Sequence, residues 1–449
     1  MDTNHVYLYQ QPKTSIGYDV LGEECINIIK MAVEIVKPGN KVVIKPNFVR
    51  QCSLESKEWI HVITNPILIR EVLYAVTDRL NGNGEVVILD APQEDSDFNM
   101  IVKNTGLQKI VKEVQKTTKV PISFVDIRIE RKVTCNGIIV KRIKQPGDPK
   151  GYKKVNLKNN SSFYGKINKD YYGADYDREA ARNYHNEVDN SYVISGSVLD
   201  CDVYINMPKW KTHKIGGMTC CLKNAVGVIG VKNCIPHHTI GSPETNGDAY
   251  PHMDNKSKIE NGLKKFAHKM LNKGIPFIGY FVTLAKYIAS PFLGKPMETI
   301  RSGHWYGNDT LWRAILDLNK IILYADKNGV MKDAPQRKYI AIIDGIIAGE
   351  KNGPMMPELK KCGVIGIAYS PLLGDTVMAK MMGFDYRKIP CINEGYCLDK
   401  YVLNNKINKE EIFVDSNIKE WNKRLDDILF QDIFHFVPAF GWKDHIELN

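Results

Sequence analysis

The chain holds ten cysteines and no Cys-x-x-Cys pair, so neither a zinc ribbon nor a ferredoxin-type cluster is supported. The thiols are scattered from Cys25 to Cys397, a usage that fits reduced cysteines in a cytoplasmic protein. The opening residues Met1-Asp2-Thr3-Asn4-His5 offer neither a basic stretch nor an apolar one, so no secretory signal is expected. Walker A, Gly-x-Gly-x-x-Gly, His-Glu-x-x-His and Ser-His-Asp patterns are all absent. Zinc-finger and ribonucleoprotein motifs are missing as well, and the basic residues are spread along the chain, so no specific nucleic acid is indicated. There are no internal repeats or low-complexity tracts. The uncharged run Ile275–Ala285, at eleven residues, is too short to span a bilayer.

A further absence is the most informative. Val203–Pro243 contains no Asp or Glu but has five lysines and three histidines. An apolar stretch, Val203-Tyr204-Ile205, arrives at Pro208 and the cluster Lys209-Trp210-Lys211-Thr212-His213. A double glycine follows, and Thr219 can start a helix. Clustered cations, a glycine hinge and the free N–H groups of a new helix make an anion site. The competing reading is a solvated basic loop. Trp210, Gly216-Gly217 and Cys220-Cys221 favour a partly buried segment, where unpaired lysines would be costly.

Composition bounds the rest. At 449 residues the chain has room for two domains or one large domain with insertions. Its 43% hydrophobic and 25% charged residues are ordinary globular values. The net charge of +10 favours acidic partners such as phosphates, acidic glycans or anionic lipid heads.

The order of elements predicts an α/β fold: a mostly parallel sheet flanked by helices, with one polar insertion and one helical, partly apolar insertion. Strands are expected at 41–45, 85–89, 122–127, 339–343 and 364–368. Helices are expected at 67–79, 97–114, 311–324 and 376–382. The chain divides into an N-terminal α/β half (1–140), a polar insertion (141–195), a basic segment continuing the core (196–253), a basic and apolar helical insertion (254–303) and a C-terminal α/β half (304–449). In such sheets ligands sit beyond the carboxyl ends of the strands. That rule makes Lys45, Asn47, Asp90 and Lys209 candidates by position.

The insertion at 254–300 joins six lysines between 256 and 273 to an apolar, aromatic stretch containing Phe277, Tyr280, Phe281, Ile288 and Phe292. A basic amphipathic helix beside such a stretch can lie in a membrane interface at the cytoplasmic face. A lid, or a hairpin packed on the core or a second subunit, is the alternative.

Three carboxylate settings carry chemistry on this reading. Asp309 precedes Arg313, Asp317 and Lys320 at helical spacing, which suits a cap and an Arg313–Asp317 ion pair. Asp344 ends a strand, and Glu350 follows six residues later in a loop with Gly345, Gly349 and Gly353. The two carboxylates can hold a divalent ion or act as an acid/base pair near His213, or Asp344 can serve its own turn. Asp375 follows Gly374 and reads as a cap. His237-His238 can be ligands, although a histidine pair in a loop more often faces solvent.

Several stretches together resemble a known family, domain of unknown function 362. They are Ile44-Lys45-Pro46-Asn47, Thr64-Asn65-Pro66, Pro208–His213, Thr219–Gly227, Asn308–Arg313, Asp344-Gly345 and Glu350-x-x-Gly353-Pro354. Some relatives carry a ferredoxin-like module that this chain lacks. The branch with Asn-Asp-Thr-Leu-Trp-Arg resembles proteins found near surface-polysaccharide assembly genes, which implies a sugar or lipid-linked sugar context.

The expected function is therefore an enzyme of the cytoplasmic face acting on an anionic substrate, a phosphorylated or acidic sugar derivative. Lys45, Asn47, Lys209, Lys211, Thr219, Lys223, Asn224 and Arg313 would hold the anion. His213 would be the general acid/base, with Asp344 and Glu350 holding a metal or moving protons. A non-catalytic protein binding acidic glycan or a membrane surface is the first alternative. A redox protein using Cys220, Cys221 and Cys234 is the second, although an iron–sulfur cluster is not expected.

Overall fold

Short β-branched runs alternate with amphipathic helices along most of the chain, and they assemble one large sheet. The computed structural model describes residues 1–449 apart from 20, 53–57, 136–137, 174–177, 255–256, 259–261, 263–269, 271–299 and 449. The residues at 277, 280, 281, 288 and 292, on which the membrane and lid readings depend, lie outside the described residues. Among the described residues, no helix is long and apolar enough to cross a membrane.

The sheet has eleven strands. In chain order they are β1 His5–Gln10, β2 Lys41–Pro46, β3 Glu85–Asp90, β4 Ile122–Asp126, β5 Val203–Met207, β6 Lys209–His213, β7 Gly217–Thr219, β8 Lys338–Glu350, β9 Glu358–Ala368, β10 Phe413–Ser416 and β11 Lys423–Arg424. The spatial order is β11-β10-β1-β9-β8-β5-β2-β3-β4, with β6 added beside β8 and β7 beside β6. From β8 to β4 every neighbouring pair is parallel, while β9 runs antiparallel to both β8 and β1. The fold is α/β with a mixed, mostly parallel sheet, as the alternation implies.

Helices cover both faces. α1 (Glu23–Ala32), α2 (Pro66–Leu80) and α3 (Leu107–Gln115) pack on one side with Val203, Ile205 and Met207 of β5. α4 (Cys221–Asn224), α5 (Leu311–Tyr324) and α6 (Pro371–Met381) pack on the other, where Tyr204 points. The two-residue period of a strand divides β5 between the two cores. α2 begins where Asn65 accepts the N–H of Ile67 and Pro66 takes the first helical position.

Five expectations change. The single helix at 97–114 is two, Phe98–Asn104 and α3, because Gly106 sits at φ +77° and breaks the ladder. The strand at 339–343 does not end at Asp344; it continues to Glu350, where β9 and β6 both give it partners. Thr219 closes β7 instead of opening a helix, and α4 is only four residues long. Asp375 lies inside α6, which Ser370 caps through the N–H of Leu373. Arg313 pairs with Asp309 at 2.8 Å, and Asp317 pairs with Lys320.

The polar insertion is ordered into small antiparallel pairs. Tyr152–Asn156 pairs with Ser191–Ser195, and Tyr171-Tyr172 pairs with His238-Thr239.

Candidate functional site

Parallel neighbours bring their carboxyl ends to one edge of the sheet, and a cavity of about 440 Å³ opens there. Its wall contains Lys45 and Asn47 after β2, Asp90 at the end of β3, His213 at the end of β6, and Thr219, Lys223 and Asn224 around α4. Lys214, Lys232, His237 and His304 complete the basic lining, and Asn352–Met355 close one side. Seven of the sequence-derived candidates therefore meet in one place: Lys45, Asn47, Asp90, His213, Thr219, Lys223 and Asn224.

Part of this wall is a closed hydrogen-bond frame. Lys45 Nζ lies 2.8 Å from Asp90 Oδ1, and it donates to the carbonyl of Pro46 and to Asn224 Oδ1. Asp90 also accepts the N–H groups of Phe48 and Ala91. Asn224 uses both ends of its amide, accepting from Lys45 and Asn47 and donating to Asn206 Oδ1 and Lys45 O. A Cβ on Gly227 would sit 2.2 Å from Asp90 Oδ1 and 2.6 Å from Lys45 Nζ. Only glycine lets this ion pair form.

The rest of the wall is open. Among the described residues, the ammonium groups of Lys214 and Lys223 have no hydrogen-bond or ion-pair partner, and Lys232 Nζ meets the carbonyl of Ala91 at 2.6 Å. Burial, with Lys232 and Lys45 nearby, pulls Lys223 down to about 8. Burial also pulls Lys232 down to about 8. Thr219 Oγ1 and Asn47 Oδ1 are buried and have no hydrogen-bond partner in the described structure. An orphaned polar atom in a cleft is a place for a ligand or water. His213 Nδ1 accepts two backbone N–H groups, from Ile215 and Gly216, each at 3.0 Å. Burial and then the cations Lys223 and Lys211 hold its imidazole well below the usual histidine range.

The other candidates sit elsewhere. Lys209 Nζ is 3.0 Å from Asp344 Oδ2 with both side chains fully buried. Tyr18 and the N–H of Asn65 bind the same carboxylate. Lys211 donates to the carbonyl of Val62. Glu350 binds Lys360 and the N–H of Val437. Arg313 holds Asp309 and the carbonyl of Ser162 and stacks on Trp312. None of these five lines the cavity. Lys209 and Asp344 do converge, but as a buried pair whose oxygens already have partners; Asp344 and Glu350 form no shared cradle for a metal.

Among the described residues, one group brings three metal-type ligand atoms within 4.8 Å: Cys220, Cys221 and Asp375, all buried. Asp375 accepts the N–H groups of Cys221 and Leu222, so it caps α4 from another helix. That carboxylate occupies the helix start which sequence reasoning assigned to an anion. Cys234 stands apart, with its thiol on the carbonyl of Val231.

Sequence reasoning missed Lys214, Lys232, His237 and His304 as cavity residues. Lys214, Lys232 and His237 lay in the acid-free run and carried a usable signal; His304, past the 254–300 insertion, carried none. The His237-His238 pair does not face bulk solvent, since His237 lines the cavity and His238 is buried.

An open α/β protein with a basic cleft at its strand ends is the class that fold and geometry define. The chain belongs to the family described as Domain of unknown function (DUF362), which matches residues 42–148 and 160–380. No curated protein matches it. A solved structure of a Thermotoga maritima protein is similar at 11% identity and a TM-score of 0.33. The alignment covers 78% of this chain and 56% of that one.

Proposed function

We propose that the cavity binds an anionic small molecule of the phosphorylated or acidic-sugar type and that the protein is an enzyme acting on it. One observation carries this reading. The single carboxylate in the described wall, Asp90, is already taken by Lys45 and two backbone N–H groups. Among the described residues Lys214, Lys223 and Lys232 therefore have no ion-pair partner, and Asp90 and Glu94 act on Lys232 only from a distance. Desolvated cations in a cleft are stabilised by an incoming anion far more than exposed ones are. The orphaned Thr219 hydroxyl adds a donor beside them.

Calorimetric titration with inorganic diphosphate and with nucleotide sugars tests the proposal. Binding is expected, and Lys223→Gln should weaken it about tenfold, the effect of one charge-assisted hydrogen bond. Because burial and the neighbouring cations pull the Lys223 ammonium down to about 8, affinity should be highest below that pH and fall as pH rises through it. No binding by any anion, or an unchanged Lys223→Gln variant, would overturn the reading.

A further inference from the structure

Two of the three histidines of the cleft, His213 and His237, are held in opposite tautomers. A neutral imidazole has one N–H and one lone pair, and a bond at one nitrogen decides the state of the other. At His213, Nδ1 faces two donors, the N–H groups of Ile215 and Gly216. Nδ1 therefore carries the lone pair and Nε2 the proton. At His237, Nδ1 lies 3.1 Å from the carbonyl oxygen of Ile235, which can only accept. There Nδ1 carries the proton and Nε2 the lone pair. Both residues line the same cavity.

We propose that His237 is the proton acceptor of this cleft, through Nε2, and that His213 is a fixed Nε2–H donor to the bound anion. The inference rests on the anion-binding reading and reverses the role that sequence alone suggests for His213. Protonating His213 would press a third N–H against the two already on Nδ1. Protonating His237 at Nε2 leaves its bond to Ile235 intact. In the step implied, a ligand O–H gives its proton to His237 Nε2, the bonding pair stays on the ligand oxygen, and an imidazolium forms.

Burial and then Lys223 lower His237 to about 4, which keeps its imidazole neutral. An anion beside Lys223 offsets that repulsion, so the base is readied by the ligand it serves.

The test is nitrogen-15 NMR of the full chain labelled at histidine, with His213→Gln and His237→Asn used to assign the two signals. At neutral pH His213 should show a bare Nδ1 and a protonated Nε2, and His237 the reverse. Diphosphate should shift the His213 Nε2–H signal and raise the pKa of His237. Diphosphate affinity should survive His213→Gln, which keeps a donor, and fall about tenfold in His213→Leu. Reversed tautomers with diphosphate still bound would sink this inference alone, whereas diphosphate that fails to bind would sink the anion reading and leave the tautomers measurable. An imidazolium at position 213, or an undiminished affinity in His213→Leu, would also overturn it.

Discussion

Lys209 and Lys223 belong to the same acid-free run, and the fold gives them opposite fates. Lys209 meets Asp344, supplied by the neighbouring strand from a point far along the chain. Lys223 has no direct partner among the described residues; it faces Lys232, Lys45 and the cavity, and the Asp90 carboxylate acts on it only from a distance. Stability should report this difference. Asp344→Asn strands a buried ammonium and should cost about 3–5 kcal/mol in urea unfolding. Lys223→Met removes an unpaired, desolvated charge and should leave stability unchanged or raise it. A Lys223→Met loss as large as that of Asp344→Asn would mean that Lys223 is part of the frame. The cluster itself was legible because sequence shows missing acids within a segment. Which lysines keep a free charge was not legible, because partners such as Asp344 and Val62 come from other strands and helices.

At the scale of elements, periodicity located most of the parallel core. α5 spans 311–324 as its apolar spacing predicts, and α2 begins at the Asn65-Pro66 signal. Errors fell where tertiary pairing overrides local chemistry. The Asp344-Gly345 turn signal is overridden by ladder partners on both sides of β8. Thr219 is drawn into β7 by its register with Lys211. α4 survives at four residues because Asp375 satisfies its first N–H groups. Burial raises that carboxyl to about 7 against the bonds it accepts. A folded-state value above the ordinary 3.8 means that the native form holds the proton more tightly. The Asp375 contribution is therefore fully present below about 4 and lost as pH rises through about 7. Relative to Asp375→Asn, the wild type should lose stability across that window. A difference between the two that does not vary with pH would contradict the assignment.

At the scale of the whole molecule, the cleft is braced by parts that sequence reasoning left unread. The C-terminal segment returns so that Trp442 donates to the carbonyl of Lys214. Its ring lies over Gly217, where a Cβ would be 3.2 Å away. Phe434 and Phe436 pack on Trp210 at 5.6 and 4.6 Å. Residues 413–449 have short elements with little periodicity, so their role depends on contacts that sequence does not display. Of the lysines behind the net charge of +10, four (Lys45, Lys214, Lys223 and Lys232) line one cavity. The most direct measurement of this account is a crystal of the protein soaked with tungstate, a heavy oxyanion, and located by anomalous scattering. The account predicts the strongest tungstate peak in the cavity, within hydrogen-bond reach of Lys223 and Thr219. A cavity without tungstate, with peaks only on surface lysines, would contradict it.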